Sequence, residues 1–351
     1  MRESTPPQRP NVAIIWCNLG TPDEPTASAV RRYLAEFLSD PRIVELPRLL
    51  WLPILHGWVL RTRPAQSAAR YASIWSPEGS PLKIWTEKQA KLLQGWLGHN
   101  GYRVVVAHAM RYGNPSIHAT IERLRKQGIA RILLLPAYPQ YSCTTTASLS
   151  DKVSSWNQQA RHLPEWRFVN DYHTHPLYIR ALAKQVLTHW QHHGQGDMLL
   201  MSFHGTPERT RKLGDPYAEQ CHATAQLLAQ RLGLSEKQYR VTFQSRFGHA
   251  KWIRPYTAAT LEQLAQQGLA RVDLLCPGFV ADCVETLEEI AIECRDIFLA
   301  AGGKDFHYIP CLNDDPDWIA ALGTISAQHL AGWLPAPQKT SQAHLENRYA
   351  Y

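Results

Sequence analysis

The sequence predicts an α/β fold made of two similar halves, each a parallel sheet flanked by helices, set around a central cleft. Three observations carry this. Short apolar runs rich in β-branched residues, bounded by turn residues, alternate with helical patterns along the chain. The order of runs in the first half recurs in the second. The least ordinary residues fall at the carboxyl ends of those runs, where open α/β sheets collect their ligands.

The first set of runs is NVAIIWCNLG (11–20), YRVVVAHAM (102–110), ARILLLPAY (130–138) and WRFVNDY (166–172). They are continuously apolar rather than alternating, as parallel strands covered on both faces must be. The second set is DMLLMSFHG (197–205), YRVTFQSRFG (239–248), ARVDLLCPGF (270–279) and DFHYIPCLND (305–314). Segments such as AEQCHATAQLLAQRLG (218–233) carry apolar residues at helical spacing and supply the crossovers. The first set is exhausted near 173, and Pro176 precedes the next helix. Domains are therefore expected at 11–173 and 174–333, with a disordered start over 1–10 and a polar, Pro-containing peripheral tail over 334–351.

With 351 residues, 44% of them hydrophobic and 19% charged, the chain has a globular composition and the length of two ordinary domains. Its net charge of +7 comes without any Lys/Arg run of five, so a nucleic-acid partner is not expected. The excess suits an anionic small molecule or a membrane surface. Neither G-x-G-x-x-G nor a Walker A sequence occurs, which removes support for a nucleotide cofactor. Seven cysteines without a C-x-x-C pair argue against a disulfide framework. The opening MRESTPPQRP lacks the apolar stretch of a signal peptide, and a cytoplasmic location is expected. The most apolar stretch, ELPRLLWLPILHGWVLRTRP (45–64), is too short and too interrupted to span a bilayer.

Two stretches hold candidate chemistry. LLMSFHGTPER (199–209) ends a buried run on His204, where Gly205 and Pro207 force an immediate turn and hold the imidazole at the sheet rim. The opening copy of this turn, in VAIIWCNLGTPDE (12–24), has Leu19 in the place of His204. In CPGFVADCVETLEEIAIECRD (276–296), Glu285, Glu289 and Glu293 recur at i, i+4 and i+8, which on a regular helix lines three carboxylates along one face. Such a row is an ordinary solvated face, or a path for protons or hard and borderline divalent metals. Tyr112, Tyr138, Phe203, Phe247, Trp252 and Phe279 lie at or just beyond strand ends. With His204, Arg111 and the carboxylates they point to a flat, largely apolar substrate bearing anionic groups.

The chain resembles the ferrochelatases, which insert Fe2+ into protoporphyrin IX in the last step of haem synthesis. The likeness rests on NLGTP, GSPL (79–82), MRYGNP, YPQYSCTTTAS, SFHGTP, GDPY (214–217), QSRFG followed by Trp252, and CPGFVADCVETLEEI, all in order over nearly the whole chain. It implies a fold of two Rossmann-like halves and an ATP-independent lyase. It also implies catalytic roles for His204 and Glu285, both able to meet the iron substrate, and an acidic path through Glu289 and Glu293. By the same resemblance Leu19, Arg111, Tyr112, Tyr138, Trp252 and Phe279 contact the porphyrin. Coproporphyrin-inserting relatives share the central motifs but typically carry tyrosine where this chain has Leu19, which favours protoporphyrin. A carrier of porphyrin or haem is the non-enzyme alternative, though it would not need both His204 and Glu285.

Two departures from animal members follow. Their histidine is replaced by Cys283 here, so its role does not transfer. They hold a [2Fe-2S] cluster through a cysteine matching Cys143 and three more in a C-terminal extension, whereas no cysteine follows Cys311. No permanent cofactor and no cluster are therefore expected. The 45–64 stretch matches a lip of the family's pocket, and its arginines and apolar residues predict peripheral association with anionic membranes.

Overall fold

A computed structural model describes residues 10–248 and 250–334. The expected disordered start and peripheral tail lie outside these residues, apart from Pro10 and Leu334. Strands β1 (Val12–Gly20), β2 (Val105–Tyr112), β3 (Arg131–Pro136) and β4 (Glu165–Phe168) form one parallel sheet in the order β2-β1-β3-β4. Strands β5 (Met198–His204), β6 (Tyr239–Gln244), β7 (Arg271–Leu275) and β8 (Asp305–Ile309) repeat it as β6-β5-β7-β8, also parallel. All eight apolar runs thus form strands. Residues 12–17 are fully buried, which is why β1 reads as an unbroken apolar run.

In each sheet the first strand lies between the second and third, so the chain leaves β1 and β5 at a topological switch point. Both strands end in the same sharp turn, and in both the glycine is required by close approach. Gly20 has φ +114°, and a Cβ there would lie 1.8 Å from the Tyr112 carbonyl oxygen. A Cβ on Gly205 would lie 2.7 Å from the Gln244 carbonyl oxygen and 3.1 Å from the Trp252 ring. The neighbouring strand therefore presses on each turn, which fixes Leu19 and His204 at matching rim positions.

The two halves share their main core. The helix Pro316–Leu330 packs against the helices Pro81–His99 and Pro176–His193, so the last helix of the second half also covers the first. Its Trp318 meets Trp16 of β1 at 6.4 Å and Tyr172 and Tyr178 at 6.0 Å each. Gln89, fully buried, accepts from the Trp16 indole at 3.2 Å and donates to the carbonyls of Val280 at 2.7 Å and Asn313 at 2.8 Å. Arg167 of β4 donates to the His329 carbonyl at 2.7 Å, tying the same helix to the first sheet.

The acidic segment corrects one expectation. It is not a regular helix: an α turn at Val284–Leu287 gives way to a π-helix at Glu289–Cys294, and α geometry returns at Arg295–Ala300. The Glu293 amide reaches back five residues to the Glu288 carbonyl, 2.9 Å. The cause lies across the fold, where Gln244 at the end of β6 donates to the Glu285 carbonyl at 2.7 Å, a side chain inserted where the α ladder stops. The three glutamates consequently stand in three different environments.

Candidate active site

A cleft of about 1210 Å³, partly open to solvent, lies at the carboxyl ends of the strands of both sheets. The first half supplies Leu19 from the β1 turn and Tyr138 from the loop after β3; the second supplies His204 from the β5 turn, Trp252, and Phe279 and Glu285 from the loop after β7. The wall is chiefly apolar and aromatic, so the few polar groups within it stand out.

His204 Nδ1 lies 2.7 Å from the carbonyl oxygen of Gly205. A carbonyl only accepts, so Nδ1 carries the proton and Nε2 keeps its lone pair as a base or metal ligand. Glu285 lines the same cleft. Tyr71, at the end of the helix Leu60–Ile74, also lines it; burial first, then the Glu285 charge, pushes the Tyr71 phenol well above its ordinary value. The phenol thus stays neutral beside the carboxylate. Two wall residues present buried polar atoms with no hydrogen-bond partner among the described residues, Tyr138 Oη and Trp252 Nε1. Such orphans cost about 1–3 kcal/mol each unless a ligand or water satisfies them, which marks the wall as built for an occupant.

Arg111 and Tyr112 stand elsewhere. Neither lines the cleft. Arg111 donates to Asp40 and, through Nε, to the Ser148 hydroxyl at 2.6 Å, while the Tyr112 hydroxyl donates to Asp40 at 2.8 Å. Burial would raise the Asp40 pKa, but hydrogen bonds from Ser148, the Arg42 amide and Tyr112, with the Arg111 charge, bring it below its ordinary value. Their direct contact with a ligand in the cleft is thus not supported by this geometry. The reason is Asp40, a buried carboxylate after the helix Ala27–Leu38 that accepts hydrogen bonds from both side chains.

Glu289 is withdrawn from the cleft wall. Ser245, held at φ +64°, points its amide at Glu289 Oε1, 2.6 Å, and its hydroxyl at the other oxygen. Burial outweighs these bonds and the nearby His204, so the Glu289 carboxyl is raised above its ordinary value. Glu293 lies half exposed at the surface, 3.5 Å from Arg70, which also approaches Glu288 at 3.6 Å. The glutamates therefore step from cleft to a partly buried position to surface, with a cation at the outer end. Sequence reasoning passed over Asp40, Tyr71 and Arg70, and gave Ser245 no role. Each is a single residue of common type, and only its tertiary partner makes it significant.

A base with a free nitrogen and a carboxylate share one apolar cleft on duplicated parallel sheets, an arrangement suited to a metal chelatase. The fold is that of SirB from Bacillus subtilis with Fe3+, which matches with a TM-score of 0.54 at 12% identity over 92% of this chain and 96% of that one. A sirohydrochlorin chelatase, SirB of the subspecies spizizenii in complex with cobalt, matches at 0.51 and 10% identity, covering 91% and 95%. The chain belongs to the ferrochelatase family, whose profile matches residues 11–330. The ferrochelatase of Polaromonas sp. strain JS666 is 64% identical over 93% of this chain and 90% of its own, and that of Methylibium petroleiphilum 62% over 92% and 88%.

Proposed function

We propose that this chain inserts Fe2+ into protoporphyrin IX, giving protohaem and two protons, with His204 Nε2 accepting the two pyrrole protons one at a time and releasing each to solvent before taking the next. The observation that carries the mechanism is the His204 Nδ1 contact with the Gly205 carbonyl, which leaves one nitrogen free in an apolar cleft. The planar ring must distort to expose its nitrogen lone pairs. The walls around Leu19, Tyr138, Trp252 and Phe279 supply the contact energy for this, and Glu285 holds the incoming iron or helps move the protons. Iron approaches past Glu293 and Glu289, which follow Glu285 at i+8 and i+4 along the segment. Turnover needs no nucleotide, because removing water from the metal and protons from the ring are both met within the cleft.

No resident cofactor enters this reading. Cys143, the position matching a cluster ligand of animal members, has its thiol pushed up to about 12 by burial and by Asp215. Among the described residues no cysteine belongs to a group of three metal-ligating side chains, and residues 335–351 contain none. On this reading no [2Fe-2S] cluster is expected.

The chain works on this reading at the inner face of the cytoplasmic membrane. Among the described residues no helix is long and apolar enough to cross a membrane. The helix Arg48–Ile54 and the π turn Leu55–Val59 expose Leu49 (91%), Leu50 (65%) and Trp58 (59%) beside Arg48, Arg61 and Arg63. Trp51 is tied inward to the Leu38 carbonyl at 2.6 Å, so the contacting face is formed by Leu49, Leu50 and Trp58 instead. Apolar residues framed by arginines suit an anionic interface.

The deciding experiment is anaerobic incubation of the purified protein with Fe2+ or Zn2+ and protoporphyrin IX, without ATP, with coproporphyrin III in parallel. Metalloporphyrin formed faster from protoporphyrin supports the proposal. Porphyrin binding without insertion overturns it, and faster turnover of coproporphyrin III overturns the substrate. Loss of vesicle binding with an unchanged Tm in Leu49→Ser/Leu50→Ser protein supports the membrane face; unchanged vesicle binding rejects it.

A further inference from the structure

On the far side of the second half, three histidines and an aspartate converge at a place unrelated to the cleft. His189 and His193 are one turn apart on the helix Pro176–His193; Asp273 is on β7 and His307 on the adjacent β8, and these two are paired in register. The ligand atoms of His189, Asp273 and His307 all lie within 4.8 Å of one another. The His193 ring joins them, 4.6 Å from His189 and 5.2 Å from His307 between centroids. Asp273 also pairs with Leu199 at the beginning of β5, five residues before His204, which separates the cluster from the cleft by about 16 Å of strand.

Each donor has a feature that packing alone leaves unexplained. His189 Nε2 is buried and has no hydrogen-bond partner among the described residues. A ring nitrogen kept from water and from protein is costly unless something else engages it. His307 donates through Nε2 to Asp305 at 3.0 Å, which leaves its other nitrogen free and reproduces the carboxylate–histidine pair that orients metal-bound imidazoles. Asp273 is almost wholly buried. Its Oδ2 accepts from the Trp190 indole at 2.7 Å and the Gly196 amide at 2.8 Å. Its Oδ1 meets only the Arg271 guanidinium, at 3.2 and 3.3 Å, longer than the roughly 2.7–2.9 Å of a strong charge-assisted pair. Both contacts on that oxygen are long, so an ion there would displace the weaker of them. Arg271 is offset by a second carboxylate, Asp305, 3.6 Å away, so the charge around the cluster does not repel a cation.

We propose that His189, His307 and Asp273, with His193 completing the set, form a second metal site that takes a borderline divalent transition ion such as Zn2+. Imidazoles with one carboxylate are the donor set such ions prefer, whereas Mg2+ and Ca2+ require mostly oxygen. Metal–donor distances of about 2.0–2.1 Å place donors about 3.3 Å apart in a tetrahedron, so the cluster tightens by side-chain rotation on a fixed helix and sheet. The ion joins the helix Pro176–His193, part of the shared core, to β7 and β8. Its role is structural, since no residue of the cluster lines the cleft.

The test is equilibrium dialysis of the tag-free full chain against Zn2+, with bound metal counted by mass spectrometry, in wild type, His204→Ala and His189→Ala/His307→Ala proteins. The expected result is that His204→Ala keeps one equivalent and the double variant loses it while retaining chelatase turnover. Saturating Zn2+ is also expected to raise the Tm of His204→Ala protein by at least about 2 °C and not that of the His189→Ala/His204→Ala/His307→Ala protein. Equal metal content in the double variant and wild type, or none in His204→Ala, overturns the site. Should the double variant fail to fold, Co2+ bound to His204→Ala protein decides: visible absorption of a nitrogen-ligated ion, removed by Zn2+, supports the site, and its absence overturns it.

Discussion

The two turns that close β1 and β5 share a Gly-Thr-Pro sequence and a glycine pressed by the neighbouring strand, yet one presents Leu19 to the cleft and the other His204. The loops that follow the third strand of each sheet differ in the same way, with Tyr138 and Gln140 on one side and Phe279 and Glu285 on the other. Duplication supplied two equivalent rims. The second became the reacting wall and the first an apolar wall against which a flat ligand can be held.

Removing His204 strains this comparison most. His204→Ala is expected to lower kcat by about 10²–10⁴-fold with porphyrin affinity little changed, whereas Leu19→Ala alters porphyrin KM by about tenfold or less and spares kcat. Adding Leu19→His to the His204→Ala protein should not restore turnover, because no carboxylate corresponding to Glu285 lines the first wall; recovery in steady-state assays would end the asymmetry argued here.

The glycines come next. Gly20→Ala places a Cβ against backbone at a positive φ and is expected to cost at least about 2 kcal/mol in denaturant melts. Gly205→Ala meets its carbonyl at 2.7 Å with φ outside the left-handed region and should cost less. The reverse order would show that the two turns are not equivalent. Glu289→Gln is expected to raise the metal KM several-fold more than the porphyrin KM. A change confined to porphyrin would remove Glu289 from the iron path.

The smallest effects concern pH, and the two halves are expected to respond with opposite sign. Asp40, held below its ordinary value, stabilises the fold above the unfolded pKa, and that stability is lost as pH falls through the folded value. Glu289, held above its ordinary value, gives stability that is full below the unfolded pKa and lost as pH rises through the folded one. Asp40→Asn should flatten the acid side of a Tm–pH curve, and Glu289→Gln the slope just above pH 4. Identical curves for the variants would refute the assignment.

Much of this was legible in the residues themselves. The eight strands announced themselves because parallel strands covered on both faces must be apolar throughout, and His204 was conspicuous because a buried run ended on an ionisable group. What escaped the sequence was decided by partners distant along the chain. Gln244 interrupts a helix that begins forty residues later, Asp40 holds Arg111 and Tyr112 by hydrogen bonds, and Trp318 seats a C-terminal helix on both halves. None of these residues is unusual for its neighbours in sequence. Only the folded chain brings the pairs together.

Gln89 has a mechanical consequence. One amide, buried in the seam, is bonded at once to the first strand of one sheet and to two loop carbonyls of the other half, inside a core belonging to both. A molecule jointed in this way behaves as a mould with a fixed gap, since opening the gap would break all three of that amide's bonds and hydrate a buried core together. The bending required for metallation must then occur in the pliable macrocycle, and the pace of the reaction should be indifferent to solvent viscosity.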